Sequence, residues 1–339
     1  MIKIGSRTID TKIFLAPLSG CSDLSFRLIS REHGARFCFY EMVDSNSLVR
    51  RKCGNQDILK RHAKDTPVAG QLLGSDPQMM LDAAQKLTGL VEIAFLDVNC
   101  ACPAKKAIKK KSGAYLLRDK PLIGRILKKL SEALSIPVTL KIRTGFDRAD
   151  YKELREIAKV CQANGGSAIF VHGRTRAQGY TGDIDYQAIK TVKECVSLPV
   201  IGSGNIFTPG LAKRMFDETG CDGIAIARGA LGNPWIFGDI EEYLKTGLVT
   251  PPIGLSCKKD ALKKHLAYID HYKEILPSSK IGFMRKTAIW YMKGFANATE
   301  MRRRITRTQS YADMIKLIDG PFLNIQCRAA PKDPYRKDA

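Results

Sequence analysis

Short apolar runs recur between residues 13 and 227, and polar positions separate them at helical spacing. The runs at 13–18, 37–42, 67–73, 92–98, 137–142, 168–172, 199–202 and 223–227 read as eight strands. They are mostly apolar rather than alternating, the pattern of parallel strands covered on both faces. The stretches between them carry helix starts: Ser22 or Asp23 before the first, and Asp76-Pro77 before a helix reaching about residue 87. Further helices are expected over about 121–134 and 150–162. Asp at an N-cap and Pro at the first helical position both suit a helix start. Eight strand–helix repeats over this length predict an α/β fold, a (β/α)8 TIM barrel rather than an open doubly wound sheet.

Past Trp235 the pattern changes. Thr250-Pro251-Pro252 reads as a linker, and only helices are expected beyond it, over about 258–275, 283–295 and 301–318. The chain is therefore divided into a barrel, residues 1–247, and a smaller all-helical domain, residues 248–339.

Charge changes this picture. The 339 residues hold 55 Lys+Arg against 34 Asp+Glu, a formal net charge of +21, and such an excess attracts phosphate-rich partners. Residues 258–339 contribute +10 of it, so the tail is the more densely charged part. No apolar run reaches the length of a membrane span and no basic-then-apolar leader opens the chain, so a cytoplasmic protein without membrane contact is expected. The ten cysteines are scattered without a Cys-x-x-Cys pair, which predicts neither a metal site nor a disulfide framework.

In a barrel of this type the active site forms at the carboxyl ends of the strands, and candidate chemistry collects there. Ser19-Gly20 follows strand one, Gly70-Gln71 lies in strand three, and Asn99 and Cys102 follow strand four. Lys141 and Arg143 end strand five, and His172-Gly173-Arg174-Thr175 ends strand six. A lysine there can supply positive charge to a reduced cofactor ring, and a histidine can donate a hydrogen bond to ring or substrate. Gly202-Ser203-Gly204-Asn205 and Arg228-Gly229 end strands seven and eight, the barrel position where backbone N–H groups often hold a phosphate. A thiol at Cys102 can act as nucleophile or proton donor; Cys100 competes for that role, and spacing alone does not separate them. In the tail, Phe283-Met284-Arg285-Lys286, Trp290-Tyr291-Met292-Lys293-Gly294 and Arg302-Arg303-Arg304 set cations beside aromatics, as RNA-binding surfaces do.

With these residues in place, the chain resembles the tRNA-dihydrouridine synthases, most of all their B-type bacterial subgroup. The segments that carry the resemblance are Ala16-Pro17-Leu18-Ser19-Gly20, QLLGSDP from Gln71, DVNCACPAKK from Asp97 and Gly113 to Leu117. VTLKIRTG from Val138, His172-Gly173-Arg174-Thr175 and GALGNPWIF from Gly229 follow in the same order. The resemblance implies a flavin-dependent oxidoreductase that binds FMN and reduces uridine in tRNA, with NADPH (or NADH) as electron source. It implies that Ala16, Pro17 and Leu18 pack by the flavin and that Gln71, Lys141 and His172 lie at its ring. Gly204, Asn205, Arg228 and Gly229 would hold its phosphate, and Gly202, Ser203 and Ala227 would belong to the same cofactor site. Asn99 would hold the uracil, and Cys102 matches the family's catalytic cysteine. Lys105, Lys106, Arg143, Arg174, Arg285, Lys286, Arg302 and Arg303 would meet RNA. Three positions depart from the family pattern: Ala101 stands for a glycine, Asn205 for a common aspartate and Thr287 for a histidine. A reductase of free pyrimidines, like dihydroorotate dehydrogenase, would share flavin and cysteine but leave the basic tail without a purpose. A non-catalytic RNA-binding barrel would carry no flavin.

Overall fold

The computed structural model describes residues 1–50, 57–293 and 297–320. It opens with a hairpin of β1 (Ile2–Ile4) and β2 (Arg7–Ile9), which the sequence pattern did not predict. Then come β3 (Ile13–Leu15), α1 (Leu24–Glu32), β4 (Phe37–Phe39), β5 (Val43–Asp44), α2 (Ser45–Arg50), β6 (Val68–Leu73) and α3 (Pro77–Leu90). They are followed by β7 (Leu96–Cys100), α4 (Lys105–Lys109), α5 (Lys120–Ala133), β8 (Val138–Arg143), α6 (Tyr151–Ala163) and β9 (Gly166–His172). The barrel ends with α7 (Tyr186–Cys195), β10 (Val200–Ser203), α8 (Pro209–Thr219), β11 (Gly223–Ile226) and α9 (Ile236–Thr246).

Strands β3, β4, β6, β7, β8, β9, β10 and β11 pair in parallel, and β4 pairs with β6 to close the ring, so the expected TIM barrel is present. β5 adds two residues alongside β6. Aspartates cap helices around the ring: Asp23, Asp76, Asp119, Asp150 and Asp185 each accept backbone N–H bonds in the following first turn, satisfying donors the helix leaves open. Between Ser22 and Asp23, the cap is Asp23; Ser22 Oγ instead accepts from the Leu18 N–H at 2.9 Å.

Strand alternation sorts the barrel's contents. Phe14, Phe37, Phe39, Phe95 and Phe170 share an interior cluster with Ile2, Ile4 and Ile9, so the hairpin belongs to the same core. Their rings meet at 5.2 to 6.1 Å, mostly edge to face, an arrangement aromatic quadrupoles favour. Val98, Cys100, Leu140 and Ile142 belong to the outer core with the helices.

Beyond the barrel lie α10 (Leu255–Tyr272), α11 (Pro277–Tyr291), α12 (Ala298–Ile305) and α13 (Tyr311–Asp319), with an apolar cluster of their own. The single helix expected over 301–318 is two, because Ser310 starts α13 by accepting from the Asp313 N–H at 3.1 Å. The helix expected at 283–295 begins earlier, at Pro277, and its last positions, like residues 321–339 of the tail, lie outside the described residues.

A buried cation ties these helices to the barrel. Lys273 Nζ lies 3.0 Å from Asp23 and 2.7 Å from Asp57, and 4.2 Å from the Phe283 ring centroid. Lys273 and Asp23 are both almost wholly buried, so removing one leaves the other an unpaired charge. Lys273→Met should therefore lower unfolding stability by about 3 kcal/mol, read as a reduced midpoint in urea.

Candidate active site

The polar residues expected at strand ends converge on one cavity at the carboxyl end of the barrel. Its wall includes Ala16, Pro17 and Leu18 after β3, Gln71 on β6, Asn99 and Cys102 from β7 and its loop, and Lys141 and Arg143 on β8. His172, Ser203, Gly204, Asn205, Ala227, Arg228 and Gly229 complete the far side. Gly202 lies one position deeper, against Met215 and Cys221.

One correction of register separates the two thiols. The fourth strand, expected at 92–98, runs from Leu96 to Cys100. Asp97 and Asn99 therefore face the barrel interior, where Gln71 and Thr139 bond to them, and Cys100 faces outward into the helix-side core. Cys100 is wholly buried, and that burial pushes its thiol pKa well above the ordinary value. Cys102 lies past the strand end, partly exposed, and lines the cavity.

Hydrogen bonds fix the loop that carries Cys102. Asn99 Oδ1 accepts from the N–H groups of Ala101 at 3.0 Å and Cys102 at 2.8 Å. Arg143 Nε donates to the Ala101 carbonyl at 2.7 Å, and Ala114 N–H donates to the Cys102 carbonyl at 3.0 Å. Beneath the loop, Asn99 Nδ2 donates to Gln71 Oε1 at 2.7 Å, and Gln71 Nε2 donates to Asp97 at 2.7 Å. Thr139 Oγ1 donates to the other Asp97 oxygen at 2.6 Å. Burial raises the Asp97 pKa to about 6, opposed by these bonds and by Lys141. Burial likewise lowers Lys141 to about 8, opposed by Asp97. His172 is driven well below its ordinary value by burial and by the cations Lys141, Arg143, Arg174 and Arg228, so its ring is neutral at pH 7.

Across the cavity Gly204 and Asn205 both take positive φ, 129° and 49°. Asn205 Oδ1 accepts from Arg174 at 3.1 Å and Arg228 at 3.2 Å, holding two guanidinium groups at this turn. A Cβ on Gly229 would sit 1.9 Å from the Ile206 carbonyl, so no side chain fits there. Bare backbone beside the Arg228 guanidinium on the cavity wall is a donor set suited to a phosphate.

Several expected RNA contacts have other partners. Arg143 and Arg174 are buried, and their donors hold the carbonyls of Ala101, Thr175 and Gly179 and of Thr181 and Gly182. These bonds brace the loops after β7 and β9. Arg285 Nε donates to the Thr308 carbonyl at 2.8 Å, and Lys286 donates to the Gly20 carbonyl, whose N–H in turn donates to Glu41. Lys105, Lys106 and Arg302 are exposed, and exposed Arg303 pairs with Glu300 at 2.7 Å.

The sequence reading missed Tyr180, whose ring lies 5.6 Å from Arg143 and 5.0 Å from Arg228 on the cavity wall. The glycines at 179 and 182 around it were the available signal, marking an exposed turn after strand six. The helix motif in the sequence gives Lys293 only as one cation among several. Its pKa is lowered by partial burial and by Arg228 and Arg302, which places it between the barrel mouth and α12.

A family model described as dihydrouridine synthase matches residues 14–325, and the chain belongs to that family. It is 37% identical over 310 residues to tRNA-dihydrouridine synthase B of Pseudomonas aeruginosa, covering 91% of this chain and 92% of that one. To the enzyme of the same name from Vibrio vulnificus it is 36% identical over 326 residues, 96% and 99% of the two chains. Among solved structures, the old yellow enzyme of Trypanosoma cruzi superposes with TM-score 0.55 at 12% identity, covering 74% of this chain and 93% of that one. That likeness is one of fold.

Gly113 supports the thiol from below. It has φ 64°, and a Cβ on it would lie 2.8 Å from the Cys102 carbonyl and 2.9 Å from its Cβ. Gly113→Ala should cost about 1 to 3 kcal/mol in unfolding stability. It should also change the rate of Cys102 alkylation by iodoacetamide, followed by mass spectrometry of that peptide.

Proposed function

We propose that this member of the dihydrouridine synthase family reduces uridine in tRNA to 5,6-dihydrouridine, using FMN held in the barrel mouth and NADPH as reductant. The observation that carries the reading is the meeting of a loop thiol, Cys102, with a cation-ringed cavity open toward the basic helices. Partial burial and the nearby cations Arg228 and Arg302 lower the Lys293 pKa, and a polyanion relieves that repulsion while a small neutral base does not. A free-pyrimidine reductase leaves those cations without a role.

The residues present fit FMN. The turn at Gly204 and Asn205, the side-chain-free Gly229 and the Arg228 guanidinium suit its phosphate, with Arg174 holding Asn205 in place. Gln71, Lys141 and neutral His172 suit the polar edge of its ring, and Lys141 places positive charge where a reduced ring carries negative charge. When bound and reduced, FMN supplies a hydride, the chemistry that saturating C6 of uracil requires.

This chain's residues do the rest. Asn99 holds the base by its amide, and the Cys102 thiol, its backbone fixed by Asn99, gives the proton to C5 as general acid. The base has to leave its stack to reach them. In this reading residues 1–247 form the catalytic part. The helical region from 248 onward grips the RNA, with Lys105 and Lys106 on the barrel rim adding backbone contacts. Arg285 and Lys286 act there by shaping that surface, Lys286 through the Gly20 loop.

Purified protein should be yellow with bound flavin. Cys102→Ala should keep the flavin and its reduction by NADPH, while dihydrouridine formation on unmodified tRNA falls by about 100-fold or more; full activity of the variant overturns the assignment. Replacing Lys293 and Arg302 by Gln should weaken tRNA binding and flatten its dependence on log salt by about 1 to 2. Comparing dihydrouridine in RNA from cells with and without the gene identifies the position.

A further inference from the structure

The bonds below the Cys102 loop form a single line with a fixed sense. At one end two backbone N–H groups, which can only donate, saturate the two acceptor sites of Asn99 Oδ1. Asn99 therefore has only N–H left to offer. One meets Gln71 Oε1 at 2.7 Å, and the other meets Met42 Sδ at 3.1 Å on the cavity wall; a thioether is a weak acceptor. At the far end Asp97, wholly buried, accepts from Gln71 and Thr139. With obligate donors at one end and a carboxylate at the other, each amide between them has one satisfactory orientation. Turning either would set N–H against N–H, or carbonyl against carboxylate, where water cannot repair the loss.

We propose that Asp97 is a positioning residue for base recognition, holding the Asn99 amide, through Gln71, so that an N–H and never a carbonyl faces the cavity. Its carboxylate remains mostly ionised at pH 7, which keeps the sense of the line. The group on the base that meets Asn99 is then a carbonyl oxygen, which displaces the weak contact to Met42 and forms a full hydrogen bond. This proposal rests on the function proposed above, because it names how the same site reads its base.

A reversal of the line tests it. Asn99→Asp still accepts from the loop N–H groups but presents an oxygen to Gln71 Oε1. Gln71 has to turn, and its carbonyl then faces Asp97. Adding Asp97→Asn supplies an N–H to that turned carbonyl, so the second substitution should rescue the first. N99D alone should lower the thermal midpoint by about 5 °C and change Cys102 alkylation by about tenfold. D97N/N99D should recover at least about half of both changes, while dihydrouridine formation stays about 100-fold down because no N–H faces the base. D97N alone should lower kcat per flavin-loaded enzyme by about 10- to 100-fold with the tRNA KM within about threefold.

Additive effects of the two substitutions, or an unchanged kcat in D97N, overturn the positioning role. Recovered uridine reduction in the double variant overturns the carbonyl contact. If the wild-type protein forms no dihydrouridine, the proposed function fails, and alkylation and unfolding of the variants still decide the relay.

Discussion

A carboxylate inside a barrel is the constraint from which the site follows. Asp97 has no exposure to water, and a charge so placed is tolerable only when its lone pairs find donors. Thr139 and Gln71 provide them from the two flanking strands. Because β6, β7 and β8 pair with Gln71 opposite Asp97 and Asp97 opposite Thr139, the donors arrive by register and not by a flexible loop. The ordering then extends to Asn99, and from Asn99 to the backbone of the thiol. A loop residue that chemistry needs held in place is thereby tied to the most rigid part of the fold.

The same register explains what was legible in the sequence. Eight apolar runs and repeated Asp caps are strong local signals, and both the barrel and the strand-end position of the site were readable from them. A strand end placed two residues early left Cys100 and Cys102 unresolved, because both then fall in the loop; only a strand reaching Cys100 fixes that side chain on the outward face. Apolar runs do not mark their own ends: Ile93 and Phe95 read as strand, although the strand begins at Leu96. The β1–β2 hairpin was missed for a different reason. Its strands are three residues each, too short for periodicity to register, and their stability comes from the phenylalanine cluster they join.

Charge was the least legible property. The sequence counts cations but does not say where each guanidinium points. Arg143, Arg174 and Arg285 turn donors to backbone carbonyls, since irregular segments, at the barrel mouth and between α12 and α13, leave carbonyls without partners. Arg suits this work because one planar group satisfies several acceptors at once. Arg143 keeps its positive charge at the mouth, because its bonds go to the neutral carbonyls of Ala101, Thr175 and Gly179. A buried arginine can thus brace a loop and still add to the potential that draws an anion.

Ala101 shows why a departure from a family pattern need not alter the site. A glycine matters where φ is positive or where a Cβ would strike its neighbours. Among the described residues other than glycine only Lys111 and Asn205 have positive φ, so Ala101 holds a backbone conformation open to any residue. Its N–H bonds to Asn99 and its carbonyl to Arg143. Both contacts belong to the main chain and are indifferent to a methyl group, which is itself buried. The conformation of the Cys102 loop is therefore set by Asn99 from one side and Arg143 from the other. The strict demand for glycine falls on Gly113, where the chain passes beneath the thiol.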